Sequence, residues 1–114
     1  MAKRGIPNPL ERRHLLERNL AEADLLAIAD AYLAEGRSSE AVDFLVKANA
    51  EERLTELERQ AVESGDAFLL RELVRLTGRE PDASSWLELS AVAEAAGKLR
   101  YAEMARHQAE RGEE

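Results

Sequence analysis

Apolar residues recur along this chain at spacings of three and four, in short segments that end at glycine, asparagine or proline. Such spacing places apolar side chains on one face of a helix. Residues 25–48 show the pattern most clearly and predict two helices of one antiparallel hairpin. Gly36 is expected to end the first helix in a left-handed conformation, and Ser38 to cap the second. The small residues expected where the two helices approach closely are Ala29, Ala41 and Ala48.

Extended along the chain, the pattern predicts seven helices joined by short connections, which make neighbouring helices antiparallel. We expect them to form a single domain over residues 1–114. Its predicted segments are a flexible lead (1–7), an N-terminal helix (8–18) and three hairpins (19–48, 49–78 and 82–111).

The N-terminal helix has a clear start signal, because Asn8 can cap the free amides and Pro9 can occupy the first helical position without losing a donor. It is expected to bury Leu10, His14 or Leu15, and the apolar side of Leu16.

Two further starts have the form of a capping box, Asn19-x-x-Glu22 and Asn49-x-x-Glu52. They predict helices that begin just after each asparagine. One continuous helix through Asn19 is the alternative that the sequence leaves open.

Glycines mark the predicted hairpin turns at Gly36, Gly65 and Gly97, which fall 29 and 32 residues apart. This interval is typical of stacked helical hairpins. Short hairpins cannot bury their apolar faces alone, so they stack on one another. The expected fold is therefore all-α, a short α-solenoid of stacked antiparallel hairpins. Gly78 is a further expected helix end, and Asp66 and either Asp82 or Ser84 are further expected caps.

Composition agrees with an ordered helical protein, since hydrophobic residues make up 45% and charged residues 34% of the chain. The absence of cysteine excludes disulfides and thiolate metal sites. No apolar run is long enough for a signal peptide or a membrane span. We expect a cytoplasmic protein that does not enter membranes.

The spacing resembles that of the tetratricopeptide repeat over about residues 20–110, and the resemblance implies a right-handed α-solenoid. Another α-solenoid or a plain helical bundle is the alternative. The first hairpin carries the repeat pattern at Leu25, Ile28, Ala29, Tyr32, Gly36, Ala41, Leu45 and Ala48. The third carries it at Trp86, Leu89, Ser90, Gly97, Ala102 and Ala109, but has Ala93 where an aromatic residue is usual and Arg106 where a bulky apolar one is. The middle hairpin keeps Leu54, Leu57, Ala61, Gly65 and Val74, and departs at Glu58, Leu70 and Thr77, where small residues are usual.

In the tetratricopeptide family the first helix of each hairpin lines a concave groove. The resemblance therefore implies a partner-binding face made of Leu26, Asp30, Leu33, Thr55, Arg59, Val62, Leu87, Ala91 and Glu94. Leu26 and Leu33 are two helical turns apart and share a stripe, with Asp30 beside it. The alternative is that both leucines pack beneath neighbouring helices.

Candidate catalytic chemistry is scarce. Glu103 and His107 have the spacing of metal ligands on one helix face, but no second histidine completes a site. The chain has no glycine-rich phosphate loop and no nucleophile elbow. We predict no enzyme activity, no cofactor and no metal.

Charge is distributed unevenly. Residues 1–18 hold five basic residues against two acidic ones, whereas the remainder holds 11 against 21. The basic residues at the start are Lys3, Arg4, Arg12, Arg13 and Arg18. The acidic body opposes nucleic-acid binding because it repels phosphate.

The leading hypothesis is an adaptor that binds a peptide or helix of a partner protein. The first alternative is a self-associating structural protein, a homo-oligomer that covers the exposed ends of the stack. A weaker alternative is a regulator that contacts a polyanion through its basic first helix.

Overall fold

The computed structural model describes residues 6–112, and within that range every regular element is an α-helix. The all-α prediction is confirmed. The helices are α1 (Pro9–Glu17), α2 (Glu22–Ala34), α3 (Ser38–Lys47), α4 (Glu51–Ser64), α5 (Ala67–Thr77), α6 (Ala83–Ala95) and α7 (Leu99–Gly112). No helix of the described range is both long and apolar enough to span a membrane.

The chain divides into two compact units, Met1–Leu54 and Thr55–Glu114. The boundary falls near the start of α4, so this helix contributes to both. The predicted flexible lead is only partly described, because residues 1–5 lie outside the described range.

Five of the described helices end at a residue in the left-handed conformation, including α5 at the predicted Gly78, and four of the five share one pattern of hydrogen bonds. The amide of the next residue then donates to the carbonyl five residues earlier, and the left-handed residue's own amide donates to the carbonyl three earlier, which satisfies carbonyls that the helix leaves free. The longer bonds run from Arg37 to Tyr32 (2.9 Å), Ala50 to Leu45 (3.0 Å), Asp66 to Ala61 (2.9 Å) and Lys98 to Ala93 (2.8 Å). The predicted helix ends at Gly36, Gly65 and Gly97 are thereby confirmed.

The left-handed residue of this pattern that is not a glycine is Asn49, at φ 54°. The prediction that it caps α4 is wrong, because Asn49 closes α3 instead. Asparagine suits both positions, since its short side chain tolerates the left-handed region. Asn19 does not cap either: the chain does break there, but Ala21 precedes α2 and makes no side-chain cap bond.

Of the other predicted helix caps, some make a side-chain cap bond and others do not. Asn8 accepts a hydrogen bond from the amide of Glu11 (2.9 Å), and Asp66 accepts one from the amide of Leu69 (3.0 Å), as predicted. Ser38 was predicted as a cap but is the first residue of α3, after Arg37. Asp82 occupies the cap position of α6 without a side-chain cap bond.

The first unit has its core between α2 and α3, which pack against each other. Its fully or almost fully buried side chains include Leu25, Ile28, Ala29, Tyr32, Ala41, Val42, Phe44 and Leu45. Helix α1 contacts α3 but has no buried residue, and Leu10 is 63% exposed. The expectation that α1 buries Leu10 is therefore wrong.

The second unit is built around the close pairing of α6 and α7, with α5 also contacting α7. Trp86 and Leu89 of α6 are buried, as are Ala102, Ala105 and Ala109 of α7. Alanines along α7 allow close helix packing, because no long side chain separates the two backbones. The prediction that Trp86 is buried is confirmed.

Candidate functional site

An open cleft of about 350 Å³ lies between α4 and α6 in the second unit. Three of the predicted face residues line it, namely Thr55, Arg59 and Val62. The rest of its lining is Glu58 and Glu63 from α4, and Ser85 and Glu88 from α6. With three carboxylates and one guanidinium, this α4–α6 cleft carries an excess of negative charge.

The guanidinium of Arg59 is engaged within its own helix. It is paired with Glu56 one turn before it, and with Glu63 one turn after it at 2.5 Å. The hydrogen bond to Glu56 is the main cause of a raised pKa at Arg59, and Glu63 adds to it. The same hydrogen bond lowers the pKa of Glu56. Arg59 therefore stays cationic, with its charge compensated by two carboxylates.

Glu58 and Glu88 differ from these residues, because within residues 6–112 neither makes a hydrogen bond or an ion pair to a protein group. They come from two different helices, and the hydroxyl-bearing side chains of Thr55 and Ser85 lie on the same cleft. Such a set of oxygens can accept hydrogen bonds from an ammonium or guanidinium group. The cleft is suited to a cationic side chain.

Three other predicted face residues, Leu87, Ala91 and Glu94, belong to α6 but do not line this cleft. Leu87 is 48% exposed, and Glu94 pairs with Arg106 of α7 at 3.2 Å. Ser85 and Glu88 line it instead and were not selected from the sequence. Their spacing of three on a helix was the available signal, since it places both on one face.

In the first unit, the predicted residues Leu26 and Leu33 are both partly buried. Asp30, between them in sequence, is exposed and forms an ion pair with Arg53 at the start of α4. Asp30, the one carboxylate of the predicted face in this helix, is thus already paired with a cation of the folded chain.

The basic N-terminal helix also uses its charges internally. Arg12 is paired with Asp43 of α3 at 2.7 Å, and Arg13 with Glu17 at 3.2 Å. Lys3 and Arg4, which precede α1 in the sequence, lie outside the described residues. The pairing reduces the positive charge that α1 offers to a polyanion.

Within the described range, no group of three or more histidine or acidic side chains is arranged to hold a metal ion. The chain matches no protein-family model, and comparison with curated proteins and with solved structures likewise finds no similar protein.

Proposed function

We propose that this chain is a non-enzymatic adaptor that binds a peptide or helix of a partner protein in the α4–α6 cleft. The observation that carries the proposal is the pair of uncompensated carboxylates, Glu58 and Glu88, which face one open cleft from two helices. A partner segment that presents lysine or arginine would supply the missing positive charge.

The proposed architecture is a short tetratricopeptide-like solenoid. Its support is the recurrence of the same helix ending at Gly36, Gly65 and Gly97, and the burial of residues at repeat positions such as Trp86 and Leu89. In this architecture α4 and α6 are the first helices of successive hairpins. A cleft between them is where the repeat family would bind an extended segment.

The test is selection of random displayed peptides against the chain, followed by measurement of affinity for synthetic peptides by fluorescence anisotropy. Selected sequences should be enriched in lysine and arginine. The double variant Glu58→Gln/Glu88→Gln keeps side-chain shape and removes both charges, so it should weaken binding by about tenfold or more.

The matched control is Glu103→Gln/Glu110→Gln, which removes the same charge from two exposed residues of α7 outside the cleft. It should leave affinity within about twofold, since distant exposed charges are screened by salt. Peptides that bind both double variants equally well, or that show no basic enrichment, would refute the assignment of the cleft.

A second candidate is self-association, favoured by the large apolar side chains that the second unit leaves exposed. Leu99 is 64% exposed at the start of α7, and Phe68 of α5 is 49% exposed. Sedimentation equilibrium of the wild-type chain and of Leu99→Glu tests this candidate. A dimer that the variant dissociates would support it, and a monomer at all concentrations would exclude it.

A further inference from the structure

The side chain of Arg12 occupies a complete guanidinium-binding site on the α2–α3 hairpin. Its guanidinium carbon lies 5.6 Å from the ring centroid of Tyr32 and 5.4 Å from that of Phe44. One terminal nitrogen donates to the carboxylate of Asp43 (2.7 Å) and to the backbone carbonyl of Glu40 (2.9 Å). We call the surface formed by Tyr32, Phe44, Asp43 and the Glu40 carbonyl the Arg12 site.

The site is formed by residues of α2 and α3 alone. The rings of Tyr32 and Phe44 are stacked, with centroids 5.8 Å apart and planes 24° from parallel, and both side chains are fully buried. Asp43 and the Glu40 carbonyl are held one turn apart on α3. Aromatic faces, a carboxylate and a carbonyl together select a planar, delocalised cation with several donors, which is arginine and not lysine.

Helix α1, which brings Arg12 to the site, contributes little else. None of its residues is buried, and Leu10 is largely exposed. The second described link is the ammonium group of Lys47, which donates to the carbonyl of Leu16 near the end of α1. Leu15 and Leu16 are only partly buried, so α1 has no fully buried apolar side chain to expose when it departs, and residues 18–21 join it to α2.

We propose that the Arg12 site is an arginine-recognition site for a partner protein, and that α1 fills it in the free chain as a built-in competitor. A partner segment that carries an arginine would displace α1 and take over its contacts with the two rings, Asp43 and the Glu40 carbonyl. The site consists wholly of first-unit residues, so this inference stands apart from the α4–α6 cleft.

The experiment uses the full chain with Arg12→Ala, which removes the guanidinium that α1 places in the site and leaves in place Arg37, whose guanidinium carbon lies 5.4 Å from the Tyr32 ring centroid. The probe is a fluorescein-labelled synthetic peptide of residues 6–18, which carries its own Arg12. We expect this peptide to bind the variant at least about tenfold more tightly than it binds the wild-type chain, because in most wild-type molecules α1 already occupies the Arg12 site. Fluorescence anisotropy measures both affinities.

Two control peptides distinguish specific recognition of arginine from general electrostatic attraction to a positive charge. The peptide with Arg12→Lys keeps the charge and should bind the Arg12→Ala chain about tenfold more weakly, since lysine lacks the planar fork. The peptide with Arg13→Ala loses a charge that, among residues 6–112, pairs with Glu17 of α1 itself, and it should bind as the parent does. Equal binding of the parent and Arg12→Lys peptides would overturn the proposal.

Circular dichroism melts accompany each measurement. If the Arg12→Ala chain melts like the wild type and binds none of the peptides, the site closes when it is empty and the proposal fails. If that variant unfolds, the Arg12→Lys chain replaces it, with the same expected order of peptide affinities. A wild-type dimer abolished by Arg12→Ala would identify a second copy's α1 as the occupant and overturn the assignment to a partner protein.

Discussion

A β-carbon on Gly65 would lie 2.8 Å from both the α-carbon and the amide nitrogen of Ala93. The end of α4 thus rests directly on the backbone of α6, within the second unit. Gly65 also has φ 68°, a region that other residues rarely adopt. Two independent requirements, backbone conformation and close approach, therefore call for glycine at this position.

The first prediction is that Gly65→Ala destabilises the chain strongly. The left-handed conformation costs about 1–2 kcal/mol for a residue with a β-carbon, and forcing a methyl group against the α6 backbone adds about 1–3 kcal/mol. Urea unfolding followed by circular dichroism measures the loss of free energy of unfolding.

Gly97→Ala is the matched control, because Gly97 has φ 77° but nothing within 4 Å of its added β-carbon. Its free energy of unfolding should fall only by the cost of the left-handed conformation, about 1–2 kcal/mol. Equal losses for the two variants would contradict the role of the contact with Ala93.

The second prediction concerns Ala93 itself, which stands where the repeat pattern usually has an aromatic residue. Restoring the pattern with Ala93→Tyr should destabilise the chain, because the side chain is fully buried and the Gly65 backbone lies against it. Overpacking of this kind costs about 1–3 kcal/mol, and more where backbone must move. A thermal melt equal to that of the parent would show that the space exists.

Some features of this fold could be predicted from the sequence, whereas others, such as the close packing at Ala93, could not. Helix existence and the glycine ends follow from local chemistry, so they were predictable. Asn49 was misassigned because the same side chain suits the cap of one helix and the left-handed end of another. Arg12 and Asp43 are 31 residues apart in the sequence, and no local sequence pattern predicts their pairing. Two of the cleft-lining residues, Ser85 and Glu88, depend in the same way on how helices pack.

The third prediction concerns the effect of pH on the ion pair of Arg37 and Glu40 at the start of α3. A guanidinium nitrogen of Arg37 lies 2.6 Å from a carboxylate oxygen of Glu40. The hydrogen bond from Arg37 lowers the pKa of Glu40. The pair therefore contributes stability above the ordinary glutamate pKa of about 4.3, and loses it as the pH falls through the lower folded-state pKa.

Carbon-detected NMR titration of the Glu40 carboxyl group should give a lower midpoint in the wild type than in Arg37→Gln. The difference in melting temperature between the two proteins should be present at pH 7 and shrink in acid. Identical midpoints would mean that the pair does not persist in solution.

The fourth prediction is that Tyr32→Phe leaves stability unchanged or raises it. The Tyr32 hydroxyl is buried and has no hydrogen-bond partner among the described residues, while its ring is fully packed. An unsatisfied buried polar group costs about 1–3 kcal/mol, so removing it relieves a penalty. A loss of about 1 kcal/mol or more in urea unfolding would reveal a bond to the hydroxyl in solution.

The fifth prediction separates two adjacent leucines of α2, Leu25 and Leu26. Leu25 is 3% exposed and belongs to the core of the hairpin, whereas Leu26 is only partly buried. Leu25→Ala should cost about 2–5 kcal/mol through lost burial and the cavity left behind. Leu26→Ala should cost less than half as much, because solvent already reaches part of its side chain.

Leu26→Glu then tests the proposed face directly. Since Leu26 keeps some access to water, the new carboxylate can reach solvent, and the fold should survive with a modestly lower melting temperature. At Leu25 the same substitution would bury an unpaired charge and unfold the hairpin. Circular dichroism at 25 °C distinguishes the two results. If Leu26→Glu also abolishes the helical signal, Leu26 belongs to the core, and the face of Leu26, Asp30 and Leu33 is not available to a partner.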